Sequence, residues 1–481
     1  MIGTVIKDFF QLGALRLFVR VLKGARGLFI FTSLSPALLG EYTIWLLYAF
    51  YFSFSELGVL KSIERDLSHF RGAKDQGAYH AVGNIGWSLF FQLSIVAALL
   101  LGAVSHIVFN NWLLTFSLAG YFLLEKVYRG FEAHSRILFN YKANGLSDLL
   151  HVVSGFILLI VCLPRYGLYS IFPCFILSYA LAIVYLALTC RLEFQWVFQF
   201  SKAVNYIRGA LPVSLMFYAI TFFNVVPMTV VAFFWDKTTL GYYAFAYRIF
   251  EICLSIFPFL IRDVIRTRMY FQLAENKDQP QSPSFLVLPM LVYGVTVTIF
   301  WLAVYWWGTY AITRYVSDYR PSMLSINILL FSLLPLGVNK ICSDYLCSRV
   351  YNRFGYVNIV WVAGIFLQIA GILIVHQRYH DALFLVPIVY LVVTFMVYIL
   401  LAGTALKTAG AQGAGVTPAV RLLLPLFTAF MAVTLVRSEF YPAPDFFFYK
   451  NIVASAVSII GTAVVSFLLI RHEKIRLALQ L

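Results

Sequence analysis

The feature that most constrains this chain is the recurrence of apolar stretches of about 20 residues from one end to the other. A helix needs a stretch of about that length to cross the hydrocarbon core of a bilayer. The chain is 61% hydrophobic and 12% charged, whereas a soluble domain is about 45–50% apolar and about 25% charged. It has too few polar residues to cover a soluble surface of this size, so the pattern predicts a membrane protein.

About fourteen stretches are long and apolar enough to span. The loops between them are too short to hold a folded soluble domain. The sequence therefore predicts an all-α, polytopic membrane protein with about 14 transmembrane helices. The predicted spans cover residues 9–31, 41–62, 81–108, 112–134, 145–163, 167–190, 208–234, 242–265, 284–306, 323–348, 352–376, 383–404, 418–437 and 447–470.

Motifs of enzymes are absent from the sequence. There is no phosphate-binding G-x-x-x-x-G-K-[ST] loop, no H-E-x-x-H helix and no G-x-S-x-G elbow. The cysteines and histidines do not have the spacing of a metal site. We therefore predict that the protein is not an enzyme and that it has no catalytic residue, no metal ligand and no cofactor.

The basic residues are distributed unequally between alternate loops, and this asymmetry predicts the orientation. Most of them lie at the N-terminus, in the loops 63–80, 135–144, 191–207, 266–283, 349–351 and 405–417, and in the C-terminal tail. The intervening loops carry few: Arg165, Lys237, Arg314, Arg320, Arg378, Arg437 and Lys450. Both termini are predicted to be cytoplasmic, in a multi-pass protein of the cytoplasmic (inner) membrane. The net charge of +15 then reflects orientation, and no nucleic-acid partner is predicted.

The first predicted span is unusual because it carries Arg16, Arg20, Lys23 and Arg26. On a helix the first three side chains fall within about 60° of one another. Each would cost about 2.5–3.5 kcal/mol if it faced lipid. Residues 9–31 are therefore either an amphipathic helix on the membrane surface or a span whose basic side chains line a water-filled cavity. We favour the span, in which this basic ladder would bind a phosphate or pyrophosphate group.

Further charges lie at membrane depth, where ionisable residues are costly and often functional. Glu125 and Arg129 are spaced i, i+4, and Arg248 and Glu251 are spaced i, i+3, so each pair could form an ion pair. Arg129 and Arg248 are predicted to contribute to substrate binding with the basic ladder. Glu56 has no partner on its own helix and could pair with the ladder or carry a coupling proton. Glu56, Glu125 and Glu251 are the candidates for ion coupling or ion pairing.

Two polar residues near the cytoplasmic end of the fifth span are predicted to be solvated or interfacial. Asp148 lies just inside that end, and His151 follows three residues later. A carboxylate at a helix end is more often solvated than paired, and a single histidine there is usually interfacial. We therefore expect neither residue to have a buried partner.

The chain contains a weak internal repeat at an offset of 201 residues. The matching residues at the starts of spans 2 and 8 are Leu39, Gly40 and Tyr42 with Leu240, Gly241 and Tyr243. The repeat predicts two pseudo-symmetric lobes of about six helices each, related by an axis along the membrane normal. These are an N-terminal lobe at 1–207, a C-terminal lobe at 208–404, and spans 13–14 with the cytoplasmic tail at 405–481.

Two stretches carry a resemblance to a known family. LGEYTIWLLYAFYFSFSELGVLKSIERDL (39–67), with the turn Glu56-Leu57-Gly58, and LGYYAFAYRIFE (240–251) resemble polysaccharide transporters of the MOP (MATE-like) superfamily. This group includes Wzx-type flippases of lipid-linked oligosaccharides. The resemblance implies a two-lobed fold and a cationic central cavity with arginines on span 1, which here are the basic ladder. One departure is that span 7 has Asn224 without the acidic residue that often accompanies it.

The resemblance implies a flippase that moves an undecaprenyl-pyrophosphate-linked oligosaccharide across the cytoplasmic membrane by alternating access. The cargo would be an O-antigen, capsule or exopolysaccharide repeat unit. The expected partners are this substrate, membrane lipids, a polysaccharide polymerase and glycosyltransferases. The alternatives are a MATE-type multidrug or cation antiporter, which four cations on one span disfavour, and a polysaccharide polymerase or ligase, which the short external loops disfavour.

Overall fold

The computed structural model describes most of the first half of the chain and parts of the second half. The described residues are 2–254 except 73, 139, 193 and 198, then scattered positions between 286 and 315, then 316–347, 351, 353–379 and 383–408. The side chains of residues 2–17 lie outside this description, as do the predicted spans 13 and 14 and most of span 9. The described part of the chain is helical and contains no strand, which agrees with the all-α prediction.

The first of two compact units comprises Met1–Thr221 and Trp235–Gly241. Within it, α6 packs against α1 and α7, α4 packs against α3 and α5, and α5 also packs against α7. The last turns of α8, from Phe222, belong to the second unit. The helices are α1 (Ile2–Ser33), α2 (Pro36–Phe52), α3 (Val59–Gly72), α4 (Gln76–Phe109), α5 (Trp112–Ile137), α6 (Tyr141–Tyr166), α7 (Ile171–Thr189) and α8 (Phe200–Phe234).

Local side-chain caps fix where three of these helices begin. The side chains of Asp75, Asn111 and Asn140 accept hydrogen bonds from backbone N–H groups in the first turns of α4, α5 and α6. Such caps satisfy donors that a helix cannot pair internally. Asn110, at φ 46°, ends α4 in the left-handed conformation that asparagine tolerates. Tight connections of this kind make adjacent helices antiparallel neighbours.

The surfaces of these helices are apolar on both the inward and the outward sides. Trp87, Phe90 and Ile63 are buried in a cluster between α3, α4 and α5. Ile107 and Leu188 are about four-fifths exposed although they are large and aliphatic. Outward-facing residues of this kind are costly in water and suit hydrocarbon.

The second unit comprises Phe222–Phe234 and Tyr242–Leu481. In the described part of this unit, helix α13 is central, because it packs against α10, α11 and α12. On α12, Gly364 has no room for a Cβ, which would lie 2.8 Å from the Phe223 ring and 3.0 Å from the Val397 side chain. The described helices are α9 (237–254), α10 (Met323–Phe331), α11 (Leu333–Leu346), α12 (Phe354–Arg378) and α13 (Leu385–Thr408).

Six helical stretches among the described residues are long and apolar enough to cross a membrane, or up to seven if one bent pair is a single span. The count of about fourteen spans stays a prediction, as does the division at 207 and 404. One span differs from its expectation. Residues 41–62 were expected to form one helix, but Pro36–Glu56 and Val59–Ser68 are bent by 46°. The reason is the left-handed backbone of Leu57 (φ 46°) and Gly58 (φ 78°).

The internal repeat corresponds to a reciprocal contact in the first unit. A Cβ on Gly40 would lie 1.8 Å from the backbone oxygen of Lys237, and one on Gly241 would lie 1.8 Å from the backbone oxygen of Pro36. Gly40 and Gly241 match in the repeat, and Pro36 and Lys237 have the same offset of 201. Lys237 also pairs with Glu41 at 3.1 Å. The matched glycines therefore allow two helix starts to touch through their backbones.

Candidate functional site

The break in the second span forms one wall of the candidate site. Helix α2 ends at Phe52, a 3₁₀ turn covers Ser53–Glu56, and α3 begins at Val59. Only glycine fits at position 58, because a Cβ would lie 1.5 Å from the Ser214 Oγ atom on α8 and the φ angle is positive. The sequence SELG thus bends the chain beside α8. The Glu56-Leu57-Gly58 turn implied by the family resemblance is present.

Lys126 on α5 is buried against this break. Its side chain is 1% exposed, and its Nζ atom lies 3.4 Å from Glu56 Oε1. The same Nζ atom donates a hydrogen bond of 3.1 Å to the Ser53 backbone oxygen. Glu56 therefore pairs with a lysine on α5. The second carboxylate oxygen, Oε2, is buried without a hydrogen-bond partner among the described residues.

Helix α5 carries two further ion pairs, seven residues apart. Arg129 contacts Glu125 at 2.5 Å, as the i, i+4 spacing predicts, and Arg136 contacts Glu132 at 2.5 Å. Arg136 also pairs with Glu64 of α3. Both arginines are thus held by a glutamate one turn earlier on the same helix, which fixes the direction of the guanidinium groups.

These residues surround a cavity of about 530 Å³ in the first unit. Its walls come from α2 and the following turn, α3, α5 and α8, and they combine charged, hydroxyl and aromatic side chains. The Arg129 side chain is 50% exposed, so its guanidinium is accessible to a ligand. The lining residues are Phe50, Ser53, Phe54, Glu56, Gly58, Leu60, Lys61, Arg129, Glu132, Arg136, Ser214, Phe217, Tyr218 and Thr221.

Two residues of the basic ladder, Lys23 and Arg26, contact α6. Lys23 Nζ donates to Asp148 Oδ1 at 2.8 Å, and the Tyr128 hydroxyl donates to the same carboxylate oxygen at 3.0 Å. The prediction that Asp148 is solvated is therefore wrong, because α1 brings a cation to it. Lys23 keeps 41% of its side chain exposed, so its charge is only partly enclosed.

Arg26 lies deeper between α6 and α7. Its Nη1 atom is 3.4 Å from His151 Nε2, and its guanidinium stands 4.7 Å from the centre of the Phe175 ring. His151 is 2% exposed and its Nδ1 atom is 3.0 Å from Ser178 Oγ. The prediction of an interfacial His151 is therefore wrong, because α1, α6 and α7 enclose it. Neither Lys23 nor Arg26 is among the lining residues of the cavity.

The remaining sequence-predicted residues are placed as follows. Arg16 belongs to α1, but its side chain is outside the described residues. Arg20 is half-buried on the same helix. In the second unit, Arg248 pairs with Glu251 at 2.5 Å, as the i, i+3 spacing predicts, and the Glu251 side chain is 47% exposed. Their role in binding or coupling stays a prediction.

Asn224, the polar residue of span 7 without an acidic companion, is hydrogen-bonded within the second unit. Its Oδ1 atom accepts a bond of 2.9 Å from the Tyr390 hydroxyl on α13. Gln368 on α12 is fully buried, and neither of its amide atoms has a partner among the described residues. The described residues contain no cluster of three or more His, Cys, Asp or Glu that could hold a metal ion.

Sequence reasoning missed Lys126, a buried cation that contacts one wall of the cavity from behind. The sequence does contain an indication of its role, because a lysine inside an apolar stretch of about 20 residues is costly unless it is paired. Lys126 was overlooked because Glu125 and Arg129 form an evident ion pair on the same helix. Arg136 was counted only as a cytoplasmic charge, although it lines the cavity.

Comparison with solved structures identifies the fold. No protein-family model matches the chain, and no curated protein matches it. Solved structures do match. A structure described as lipid II flippase MurJ in an inward closed conformation has a TM-score of 0.70 at 12% identity, covering 95% of this chain and 98% of that one.

Multidrug transporters of the MATE family match as well. An inward-facing MATE transporter of the MOP superfamily has a TM-score of 0.60 at 12% identity, covering 84% of this chain and 96% of that one. A MATE structure in a bent conformation has a TM-score of 0.57 at 10% identity, covering 85% of this chain and 97% of that one.

The chain is therefore a multi-pass membrane protein with the fold of MOP-superfamily flippases and transporters. These structural neighbours are described as a lipid II flippase and a multidrug transporter. Identities of 10–12% establish the fold alone.

Proposed function

We propose that the protein is a flippase that moves an undecaprenyl-pyrophosphate-linked oligosaccharide across the cytoplasmic membrane by alternating access. The observation that carries the proposal is the pair of arginines, Arg129 and Arg136, on one helix facing a cavity of about 530 Å³. Guanidinium groups bind phosphate oxygens through paired hydrogen bonds, which suits a pyrophosphate. The polyprenyl tail would stay in the lipid.

The glutamates beside these arginines fit a cycle of binding and release. Glu125 and Glu132 pair with Arg129 and Arg136. An anionic headgroup would replace a glutamate at its arginine, so each state keeps the cation paired in a medium where an unpaired charge is costly. Arg16, Arg20, Lys23 and Arg26 would add positive potential along α1, and Arg248 would do so in the second unit.

The extent of the structural matches supports a flippase over a drug antiporter. The flippase match covers 95% of the chain, whereas the two MATE matches cover 84% and 85%. The predicted C-terminal pair of spans, within 405–481, has about the length of that difference. In this proposal glycosyltransferases complete the oligosaccharide on the cytoplasmic side, and a polymerase uses it on the external side.

A transport assay with purified protein tests the proposal. The protein is reconstituted into liposomes with a fluorescent undecaprenyl-pyrophosphate oligosaccharide, and flipping is followed by access of an external quencher. We expect wild type to flip this lipid and the double variant Glu125→Gln/Arg129→Gln to flip it at least about tenfold more slowly, since a charged hydrogen bond contributes about 1.5–3 kcal/mol. Replacing both partners avoids an unpaired charge.

Arg165→Gln is the control, because this exposed arginine lies at the C-terminal end of α6 and outside the cavity. It should flip the lipid at the wild-type rate. A MATE-type antiporter is the second candidate, since the cavity also contains the carboxylates of Glu56 and Glu132. Wild-type protein that leaves the lipid in place and exports a cationic dye in exchange for protons would overturn the flippase proposal and support that candidate.

A further inference from the structure

The geometry points to Lys126 as the residue that positions one wall of the cavity without contacting the ligand. We define the span-2 turn as Ser53–Gly58, which connects α2 to α3. Four residues of this turn, Ser53, Phe54, Glu56 and Gly58, line the cavity. Lys126 is absent from the lining, yet it contacts the turn at two points. The shape of the wall therefore depends on a cation behind it.

The first contact stabilises the end of a helix. Lys126 donates to the Ser53 backbone oxygen at 3.1 Å, where α2 gives way to the turn. Carbonyl groups at a helix C-terminus lack internal donors, and the helix dipole is negative there. An ammonium group placed at this point satisfies an acceptor and opposes the dipole, so it favours the break at this residue.

The second contact holds the Glu56 carboxylate. The Nζ–Oε1 distance is 3.4 Å, and Lys126 is 1% exposed while Glu56 is 16% exposed. A buried ion pair adds little net stability, but removing one partner leaves an uncompensated charge, which is strongly destabilising. Each side chain of this pair therefore requires the other.

The other charged and titratable groups near Glu56 do not replace Lys126. On α5, Arg129 is held by Glu125 at 2.5 Å, so that pair is neutral as a unit. Lys61 on α3 pairs with Glu64 at 2.9 Å. On α8, Tyr218 lines the same cavity and carries no charge. Without Lys126, the Glu56 carboxylate would lose its cation.

Amide hydrogen exchange of the full chain in lipid nanodiscs tests this inference. In wild type we expect the span-2 turn to exchange slowly. In Lys126→Met the turn should exchange at least about tenfold faster than in wild type, because the Ser53 carbonyl and the Glu56 carboxylate both lose their cation. In Glu56→Gln/Lys126→Met the turn should exchange more slowly than in Lys126→Met, because no unpaired charge remains.

Lys142→Met is the control, because this lysine is exposed on α6 and lies outside the cavity. Its exchange should equal that of wild type. Lys126→Met with the same exchange as Lys142→Met would overturn the inference, as would a double variant that exchanges as fast as Lys126→Met. Failure of the double variant to fold would overturn it too, because removing both charges should be tolerated. The measurement involves no transport, so it is independent of the proposed function.

Discussion

At the scale of single residues, the described charges inside the helices of the first unit have opposite or aromatic partners. Lys126 with Glu56, Arg129 with Glu125 and Lys23 with Asp148 are ion pairs. Arg26 has no carboxylate within pairing distance in this set of contacts and instead lies over Phe175 beside His151. An aromatic face attracts a cation by about 0.5–2 kcal/mol, most when the site is dry.

A double-mutant cycle on Arg26→Met and Phe175→Leu measures this contact. We expect a coupling energy of about 1 kcal/mol in the free energy of unfolding, because both single variants lose the same cation–ring attraction. The measurement is unfolding in detergent followed by circular dichroism. A cycle of Lys61→Met with Phe175→Leu is the control and should be additive. Additivity in the first cycle would show that the ring does not stabilise the cation.

At the scale of helices, backbone contact decides which positions are restricted to glycine. Gly58 permits both the positive φ of the span-2 turn and the approach of Ser214. Gly40 and Gly241 permit the reciprocal contact between helix starts, where each would otherwise place a Cβ 1.8 Å from a backbone oxygen. Small residues of this kind allow close helix packing in membranes, where van der Waals contact replaces the hydrophobic effect.

The variants Gly40→Ala and Gly241→Ala test this contact. Each should lower the free energy of unfolding by about 2–3 kcal/mol, because a backbone oxygen cannot yield as a side chain would. Thermal unfolding in detergent gives the comparison. Gly209→Ala and Gly403→Ala are matched controls, since a Cβ at either position meets nothing within 4 Å. They should be neutral or slightly stabilising. Equal behaviour of all four variants would contradict the contact.

At the scale of the whole molecule, the distribution of basic residues predicts which ends of the helices are cytoplasmic. Helix α6 provides a direct test because it carries exposed Lys142 at one end and exposed Arg165 at the other. The positive-inside rule assigns the Lys142 end to the cytoplasm, together with both chain termini. The same rule places the cavity-lining charges of α5 in the cytoplasmic half of the membrane.

Cysteine labelling in intact cells checks this orientation. In a background with the six native cysteines replaced by serine, Arg165→Cys should react with a membrane-impermeant maleimide. Lys142→Cys should react only after the cells are permeabilised. The two positions bound the same helix, so each is the control for the other. The reverse labelling pattern would invert the orientation and place both termini outside.

Much of the fold followed from the sequence because helix formation and ion pairing within one helix are local. The spacing of Glu125 and Arg129, and of Arg248 and Glu251, predicted pairs that the structure confirms. Asp148 and His151 were misjudged because their partners, Lys23 and Arg26, are 125 residues away in sequence. The residues next to Asp148 and His151 in the sequence give no indication that α1 packs against them.

By itself the sequence determined that this protein is helical and built for a membrane, because apolar length and composition decide where water is excluded. It also placed the turn at Gly58 through the family resemblance. Only the tertiary structure decided which cation meets which anion. Lys126 is the partner of Glu56, and Lys23 of α1 is the partner of Asp148 on α6, because a charge in a medium of low polarity is stable only beside an opposite charge. That proximity is a property of helix packing and not of residue spacing.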